Sequence, residues 1–503
     1  MQSAQKSGSG LEVLTPAEMA EADRLAAAAG PHDGYGLMRN AGAAVLREVL
    51  ARYPGAEGFD VLCGPGNNGG DGYEVARLLH ETGLGVSLWR EAAPRAASDA
   101  GRAARLCPVA ARPLGEFSPR PGRVVVDALY GAGLARALDG DAARAAERCR
   151  EANAPVVAVD LPSGLSGDTG AAAGAAFAAE LTVTFFRLKP GHLLEPGRAL
   201  CGETVLADIG IPDIVLATIA PKTFRNRPAL WSAALPRPRR DQHKYSRGHV
   251  AALSGGPAST GAARLTALAA ARAGAGAVTL WSPGNAMAVN AAHLTSIMLR
   301  RVDAPADLDA AFAAKPADAM VIGPGFGLDR PIREAVLHAL AAAPAGMLVL
   351  DADALTAFRD GPEALFSAIP ASRCGVVLTP HAGEFARMFP DLAADGGLSK
   401  LDRARAAAAR AGAVMVLKGP DTVIAAPDGR AAINENGSPW LATAGSGDVL
   451  AGIVAGLCAQ TMPAWEAACA AVWLHAEAGA RFGPGLIAED LPGLLPAVLR
   501  ELL

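Results

Sequence analysis

Short apolar runs in the first half of the chain each end in a turn that carries glycine and a polar side chain. The run 59–63 precedes GPGNNGGDG, the run 122–127 ends at Asp127 before ALYGAG, and the run 155–160 ends at Asp160 before LPSG. These runs alternate with Ala- and Leu-rich helical stretches, which predicts a parallel sheet with helices on both faces. In open sheets of this kind ligands bind at the carboxyl ends of the strands. The three turns are therefore expected to meet at one site.

The side chains in these turns suit a hard cation and a proton transfer. Asn68, Asp127 and Ser163 offer amide, carboxylate and hydroxyl oxygens to one ion, while Asp160 remains available to move a proton. The glycines of 64–72 would let the backbone approach a phosphate at a helix N-terminus. Taken singly, each turn could instead be a tight turn, an Asx-turn or a cap.

A second constellation lies near the other end of the chain, where GSGD (445–448) opens the apolar helical run AGIVAGLCA. The amides of 445–448 could stabilise a transferring phosphoryl group, and Asp448 could take a proton from an attacking hydroxyl. The other interpretation is a helix cap with glycines for close packing. No G-x-x-x-x-G-K-[ST] run is present, which disfavours a P-loop NTPase.

The elements that carry these residues fall into two groups. At 503 residues the chain exceeds what one core usually organises, so two domains are expected. Residues 1–10 resemble a flexible extension, and Thr15 before Pro16 predicts the start of a helix. The Pro- and Arg-rich stretch 221–240 predicts a linker. Strands are predicted earlier at 181–185 and, after the linker, at 249–253, 277–281, 319–322, 346–350, 375–378 and 413–417.

Composition disfavours several classes of protein. The net charge is −4 and no long basic run occurs, so nucleic acid is not an expected partner. Seven cysteines without a CxxC pair are expected to be reduced core residues rather than zinc ligands. Neither an apolar secretion segment nor the ~18 consecutive apolar residues of a membrane span is found. A cytoplasmic protein without a membrane partner is expected.

Four segments in the first half give a specific resemblance. LMRNAG, CGPGNNGGDG, VDALYGAGL and VDLPSGLSGDTG resemble the NAD(P)H-hydrate epimerase domain over residues 11–220. The resemblance implies a potassium ion on Asn68, Asp127 and Ser163, and Asp160 as the catalytic carboxylate. That carboxylate would shuttle a proton while a ring hydroxyl leaves and returns through an iminium. The residues implied to bind the hydrate are Asn67, Asn68, Gly69, Gly70, Asp71, Gly131, Ala132, Gly133, Leu134, Ala135, Arg136, Ala137 and Asp160.

Seven ordered segments cover 242–503: HKYSRGHV, GGPASTGAARLTALAAARAGAGAV, VIGPGFG, LDADAL, LTPHAGEF, LKGPDTVI and LATAGSGDVLAG. They resemble the NAD(P)H-hydrate dehydratases, a ribokinase-like family. Asp351 and Asp353 could be caps or could help to place magnesium. Without its context, His381 would more simply be a core histidine. The resemblance implies hydrate contacts at Ala262, Gly325, His381 and Asp448, with Asp448 as the catalytic base. It implies adenine nucleotide contacts at Lys418, Gly419, Pro420, Asp421, Thr422 and Gly447.

The fold implied is α/β, with an N-terminal Rossmann-like three-layer domain, residues 11–220, and a C-terminal ribokinase-like α/β domain, residues 241–503. The function implied is repair of hydrated NADH and NADPH. The first domain would interconvert the R and S hydrates using K⁺. The second would use ADP, or alternatively ATP, with Mg²⁺ to convert the S hydrate to NAD(P)H, AMP and phosphate. A homo-oligomer is expected.

One other function is consistent with parts of the pattern. The chain could be a ribokinase-like small-molecule kinase, acting for example on a hydroxymethylpyrimidine, with a non-catalytic nucleotide-binding module at its N-terminus. The TPHAGE and GPGFG segments argue against another kinase. Retention of Asn68, Asp127, Asp160 and Ser163 argues for catalysis in the first half.

Overall fold

The computed structural model describes residues 10–134, 136–342 and 346–503. The chain divides into two compact units, Met1–Lys222 and Thr223–Leu503. The cysteines are all unpaired, and all but the half-buried Cys107 are buried. Their expected role as reduced core residues agrees with this placement.

The first unit is an α/β layer structure whose described strands form one seven-stranded parallel sheet in the order β3-β2-β1-β4-β5-β6-β7. Its strands are β1 Gly58–Cys63, β2 Val86–Arg90, β3 Ala111–Pro113, β4 Arg123–Ala128, β5 Val156–Val159, β6 Leu181–Phe185 and β7 Glu203–Ala207. Its helices are α1 Pro16–Ala29, α2 Gly34–Arg52, α3 Asn67–Glu81, α4 Asp99–Leu106, α5 Gly140–Glu151, α6 Gly197–Cys201 and α7 Val215–Ile219.

Helix α1 begins where the sequence predicts. Thr15 Oγ1 accepts from Glu18 N at 3.1 Å while Glu18 accepts from Thr15 N at 2.8 Å, a reciprocal capping box that satisfies otherwise open amides. Helix α3 begins earlier than expected, because Asn67 to Asp71 form its first turns rather than a loop. Gly69 makes this possible, since a Cβ there would lie 1.9 Å from the Gly64 carbonyl oxygen.

The second unit is also α/β, with described strands in one ten-stranded sheet. Its strands are β8 Thr223–Asn226, β9 His249–Leu253, β10 Ala277–Ser282, β11 Met298–Arg301, β12 Ala319–Ile322, β13 Met347–Leu350, β14 Gly375–Leu378, β15 Val414–Leu417, β16 Val423–Ala425 and β17 Ala431–Asn434. Its helices are α8 Pro228–Trp231, α9 Thr260–Arg272, α10 Met287–His293, α11 Asp307–Ala314, α12 Ile332–Ala342, α13 Asp353–Thr356, α14 Glu363–Ala371, α15 Ala382–Met388, α16 Pro390–Ala394, α17 Lys400–Ala411, α18 Ser446–Cys458, α19 Ala464–Phe482 and α20 Leu491–Leu502.

This sheet is parallel from β11 to β15 in the order β11-β10-β9-β12-β13-β14-β15. It then continues through β16, which pairs antiparallel with both β15 and β17. The sheet is therefore mixed, and its antiparallel part lies in β16 and β17, which were not predicted from the sequence. Helix α18 packs on α9 closely enough that a Cβ at Gly452 would lie 2.2 Å from the Thr266 carbonyl oxygen. This packing fixes the start of α18, which carries Asp448.

The linker predicted over 221–240 is wrong for most of its length. Residues 223–226 form β8, which pairs parallel with β17, and Trp231 is 1% exposed in the core of the second unit. Trp231 Nε1 donates to Asn226 Oδ1 at 3.2 Å, and Asn226 Nδ2 donates to the Cys469 carbonyl at 2.9 Å. Proline and arginine in this stretch mark an edge strand and a short helix rather than a flexible segment.

The packing of residues 223–231 into the second unit determines how fragments of the chain behave. A fragment starting at residue 241 lacks β8 and Trp231, whereas one starting at 221 retains both. We expect the shorter fragment to melt roughly 10 °C or more below the longer one, because removing a buried Trp alone typically costs about 3–5 kcal/mol. Thermal unfolding of the two fragments measures this. Equal melting temperatures would contradict the structural role of 223–231.

Candidate active sites

Asp160 follows β5 in the first unit, with both carboxylate oxygens already bound. Lys189 Nζ donates to Oδ1 at 2.7 Å, Thr184 Oγ1 donates to the same oxygen at 3.0 Å, and the Ala132 amide donates to Oδ2 at 2.9 Å. Burial raises the pKa of Asp160, but the charge of Lys189 and these hydrogen bonds outweigh it and hold the pKa below its usual value. Asp160 is therefore an oriented anion at neutral pH.

Lys189 and His192 complete this arrangement, and sequence reasoning missed both. Lys189 is only 2% exposed. His192 Nδ1 accepts from the Lys189 amide at 3.0 Å, so its Nε2 donates to the Asp160 carbonyl at 2.7 Å. Burial lowers the pKa of His192 to about 4, so the ring is neutral. Their position in FRLKPGH, directly after the predicted strand 181–185, is the sequence feature that could have indicated them as site residues.

The three side chains expected at a cation site lie at neighbouring strand ends. Asp127 and Ser163 are buried together, with Ser163 Oγ donating to Asp127 Oδ1 at 2.7 Å and Ser163 N donating to Oδ2 at 2.7 Å. Burial raises the pKa of Asp127 to about 6 despite these bonds. Asn68 contacts the end of β5 and the turn after β4 instead. Its amide nitrogen donates to the Val159 carbonyl at 3.1 Å, and its amide oxygen accepts from Gly131 N at 3.3 Å.

A cavity of about 740 Å³ opens between these strand ends and helices α1, α2 and α3. Asp160, Lys189 and Asp71 line it. The Asp71 carboxyl makes no hydrogen bond to any residue that the structure describes, so it faces the cavity without a partner. Burial and then the charge of Asp160 raise the pKa of Asp71 well above its usual value. The cavity is thus lined by two carboxyl groups, Asp71 and Asp160, whose pKa values are shifted in opposite directions.

Most of the residues expected to bind a hydrate also line this cavity: Asn67, Asn68, Asp71, Gly131, Ala132, Gly133, Leu134, Arg136 and Asp160. Gly69 and Gly70 are buried beneath it, where they pack α3 against its neighbours. Ala137 is not among the lining residues, and Ala135 lies outside the described residues.

Asp448 lies in the first turn of α18, in the second unit. Gly445 precedes the helix with φ of 87°, a conformation that favours glycine and turns the chain into the helix. Ser446 N donates to the Thr443 carbonyl at 3.3 Å, but no side chain caps this end within the described residues, so the Gly447 and Asp448 amides remain open to an anion. Burial, and then the charge of Asp351, raise the pKa of Asp448 to about 7. A carboxyl with that pKa can accept a proton near neutral pH.

Charged groups at the ends of β13, β14 and β15 surround Asp448. Lys418 Nζ donates to Asp351 Oδ1 at 2.8 Å and lies 4.0 Å from Glu384 Oε2. Burial lowers the pKa of Lys418, but the hydrogen bond to Asp351 and the charges of Asp351, Glu384 and Asp448 together raise it above its usual value, so the amine stays charged. A Cβ at Gly447 would lie 3.3 Å from Lys418 Nζ. The amine is therefore beside the open amides of α18.

His381 caps α15 and is exposed rather than part of the core. Its Nδ1 accepts from Gly383 N at 3.0 Å and from Glu384 N at 3.3 Å. The Glu384 carboxylate in turn accepts from the His381 amide at 2.8 Å. The side chain is thus oriented at the end of β14 with Nε2 3.3 Å from Glu384 Oε1. This exposed placement excludes the core alternative.

The remaining expected contacts lie in two turns. Lys418 to Thr422 connect β15 to β16, and Thr422 Oγ1 bridges the amide and carbonyl of Gly419 at 3.1 and 2.7 Å. Asp421 is paired with Lys400. Ala262 of α9 and Gly325 of the GPGFG turn are adjacent, since a Cβ at Gly325 would lie 3.0 Å from the Ala262 Cβ. Asp353 holds that turn by accepting from Gly327 N at 2.9 Å.

Comparisons with known proteins show the family to which the chain belongs. Residues 34–191 match a family model described as the YjeF-related protein N-terminus, and residues 250–493 match one described as NAD(P)H-hydrate dehydratase. The bifunctional NAD(P)H-hydrate repair enzyme Nnr of Moorella thermoacetica is 37% identical, over 97% of both chains. The chain belongs to the family of bifunctional NAD(P)H-hydrate repair enzymes. The Escherichia coli repair enzyme Nnr is 34% identical over 92% of this chain and 89% of its own.

A solved structure related to the dehydratase half of this repair family is also similar to the chain. It is the ADP/ATP-dependent NAD(P)H-hydrate dehydratase from Bacillus subtilis co-crystallised with ATP/Mg²⁺, with 30% identity and a TM-score of 0.49. The similarity covers 56% of this chain and 98% of that one. Among the described residues of this repair-family member, no helix has the length and apolar character needed to cross a lipid bilayer.

Proposed function

We propose that the first unit epimerises hydrated NADH and NADPH through Asp160 and Asp71, and that the second unit dehydrates the S hydrate through Asp448. One observation carries the proposal: the environments of these carboxyl groups shift their pKa values in opposite directions. Asp160 is held ionised, whereas the pKa values of Asp71 and Asp448 are raised. Asp160 and Asp71 line one cavity, and carboxyl groups separated in this way at one site are typical of acid–base and electrostatic catalysis; the raised pKa of Asp448 suits a base in the second unit.

In the epimerase cavity, the Asp71 carboxyl supplies the proton with which the ring hydroxyl leaves as water. The nitrogen lone pair of the ring forms the iminium, and the Asp160 carboxylate stabilises that positive charge. Water then adds to the other face of the ring and the proton returns to Asp71, which completes inversion. The expected proton shuttle is thereby assigned to Asp71, since a carboxylate bound by Lys189 is a weak base.

A potassium ion fits the donor set at the neighbouring strand ends. The Asn68 amide lies beside the Val159 carbonyl, and both groups carry neutral oxygens of the kind that potassium takes as ligands. The buried Asp127 carboxylate would supply the negative charge and Ser163 a hydroxyl oxygen. Bound there, the ion would order the turns that carry Asn68 and Gly131.

This proposal predicts a dependence on the monovalent cation. Replacing potassium by tetramethylammonium should slow epimerisation by wild-type protein by about tenfold or more, because a buried carboxylate then lacks its counter-ion. The Asp127→Asn variant should be slow in both salts and should no longer respond to the exchange. Rates measured by separating the two epimers test this. Equal wild-type rates in both salts would contradict a potassium site.

In the dehydratase site, Asp448 takes the proton of the ring hydroxyl as that oxygen attacks the terminal phosphoryl group of ADP or ATP. The open amides of α18 and the Lys418 amine face the charge on the transferring group. Phosphate then leaves with the electrons of the carbon–oxygen bond, and the neighbouring ring carbon loses a proton to restore the dihydronicotinamide. Phosphorylation of the ring hydroxyl allows phosphate to leave in place of hydroxide, which is a poor leaving group.

Magnesium would enter this site with the nucleotide. The described residues contain no group of three acidic, histidine or cysteine side chains that could hold a metal by themselves. Mg²⁺ typically uses phosphate oxygens and one or two carboxylates, which fits Asp353, because Asp351 is paired with Lys418. When bound, it would neutralise phosphate charge.

The proposal also predicts the pH dependence of dehydration. Because the pKa of Asp448 is raised to about 7, the base is protonated and inactive below that pH. The value of kcat/KM should therefore rise with pH through about 7 and then level off. Assays of absorbance recovery from hydrated NADH with ADP or ATP, between about pH 5.5 and about pH 8.5, test this. A flat profile would contradict Asp448 as the base.

A further inference from the structure

A second cavity in the second unit, of about 880 Å³, lies beside the GPGFG turn. Its walls come from residues 256–259 before α9, from 283–285 after β10, from 326–330, and from Arg301 and Asp303 at the end of β11. None of these residues was assigned a role by the motifs. The volume is within the range of about 300–1,000 Å³ that is typical of small-molecule sites.

This cavity adjoins the residues expected to contact the hydrate. Ser259 lines it, and a Cβ at Gly325 would lie 2.7 Å from the Ser259 carbonyl oxygen and 3.0 Å from the Ala262 Cβ. Phe326 and Gly327, which follow Gly325, also line it. The Lys418–Thr422 turn, by contrast, lies at the end of β15. A hydrate whose ring contacts Ala262 and Gly325 therefore has this cavity next to it.

The charged groups of the cavity are held in position. The Arg330 guanidinium stacks 4.4 Å from the centre of the Phe326 ring and donates to the Ser254 carbonyl at 3.0 Å. Arg301 pairs with Asp303, which also accepts from Gly284 N at 2.7 Å. Asp329 is the other acid on the wall. Two guanidinium groups and two carboxylates therefore face one cavity.

Two guanidinium groups and two carboxylates can bind the phosphates and riboses of a dinucleotide, which lie beyond its nicotinamide ring. Guanidinium groups bind phosphate oxygens with two parallel hydrogen bonds, and carboxylates accept hydrogen bonds from ribose hydroxyls. We propose that this cavity binds the diphosphate and adenosine end of the hydrated dinucleotide, with Arg301 and Arg330 as phosphate-binding residues. The inference rests on the proposed dehydratase function, because it takes the hydrate as the molecule that is bound.

The experiment compares substrates with and without the adenylate end. Wild-type protein and the Arg301→Met, Arg330→Met and double variants are assayed with hydrated NADH, hydrated NADPH and hydrated reduced nicotinamide mononucleotide. We expect KM for both dinucleotide hydrates to rise about 10- to 100-fold in each single variant and about 10²- to 10⁴-fold in the double variant, with kcat unchanged, because each variant loses hydrogen bonds from a charged group to phosphate. The mononucleotide hydrate should be unaffected.

Arg300→Met is the matched control, because the Arg300 side chain donates to the Ala310 and Ala311 carbonyls rather than into the cavity. Its KM values should equal those of wild-type protein. Unchanged dinucleotide KM values in the double variant, or an equal rise for the mononucleotide, would overturn the inference.

Binding of ADP-ribose, measured by calorimetry without ADP so that no second adenosine diphosphate competes for the cavity, separates this inference from the proposed function. The double variant should lose this binding while Arg300→Met retains it, even if wild-type protein were to dehydrate no hydrate at all. Retention of full ADP-ribose affinity in the double variant would overturn the inference whatever the activity of the chain.

Discussion

Replacing Asp448 with asparagine is expected to reduce nucleotide-dependent dehydration by about 10²- to 10⁴-fold, the usual contribution of a general base. Asparagine keeps the shape of the side chain but cannot accept the proton of the ring hydroxyl. Because the first site lies in a separate compact unit, epimerisation should be unchanged. Absorbance recovery from the S hydrate with ADP or ATP measures the first activity, and separation of the epimers measures the second.

Asp360→Asn provides the matched control for this substitution, since Asp360 is an exposed surface acid paired with Arg359. It should dehydrate at the wild-type rate. A folded Asp448→Asn protein that dehydrates within about twofold of wild type would remove Asp448 from the mechanism.

Replacing Asp160 with asparagine is expected to slow epimerisation by about 10²- to 10³-fold, because the anion that stabilises the iminium is lost. The same change leaves the buried Lys189 without its carboxylate partner, which should also lower the stability of the first unit. Dehydration of the pure S hydrate should continue at the wild-type rate. Epimer separation and thermal unfolding measure the two effects.

The double variant Asp160→Asn/Lys189→Met distinguishes catalysis from folding. Removing both charges should restore much of the melting temperature, since no unpaired buried amine remains, but it should not restore epimerisation. Recovery of epimerisation together with stability would mean that Asp160 acts only by supporting the fold.

The positions of the two sites could be predicted because parallel strands place their carboxyl ends at one edge. The strands predicted at 181–185, 249–253, 319–322 and 375–378 have the bounds that the structure gives them. Asp160 and the glycine turns after β1 and β4 accordingly line one cavity, whereas Asp127 is buried against Ser163 and is not among the lining residues. Family resemblance supplied the chemistry, and the fold class and the repair function are confirmed by the comparisons.

What the sequence did not reveal depends on contacts between distant residues. Lys189 is buried and ion-paired with Asp160, although lysine is ordinarily a surface residue. Residues 223–226 find their partner in β17, more than two hundred positions away, so local proline and arginine content suggested a linker instead. The start of α3 at Asn67 could not be predicted, because glycine disfavours a helix. The glycines are present there because the helix packs too closely on its neighbours for a side chain.

The most direct test of the account supplies only the R hydrate of NADH, with ADP or ATP, and follows recovery of absorbance from the reduced ring. Wild-type protein should convert the R hydrate completely, because epimerisation supplies the S hydrate that the second site consumes. Asp160→Asn should recover absorbance only as fast as the hydrate epimerises spontaneously, and Asp448→Asn should recover almost none. If Asp160→Asn converts the R hydrate as fast as wild-type protein does, the division of the two reactions between the two sites is contradicted.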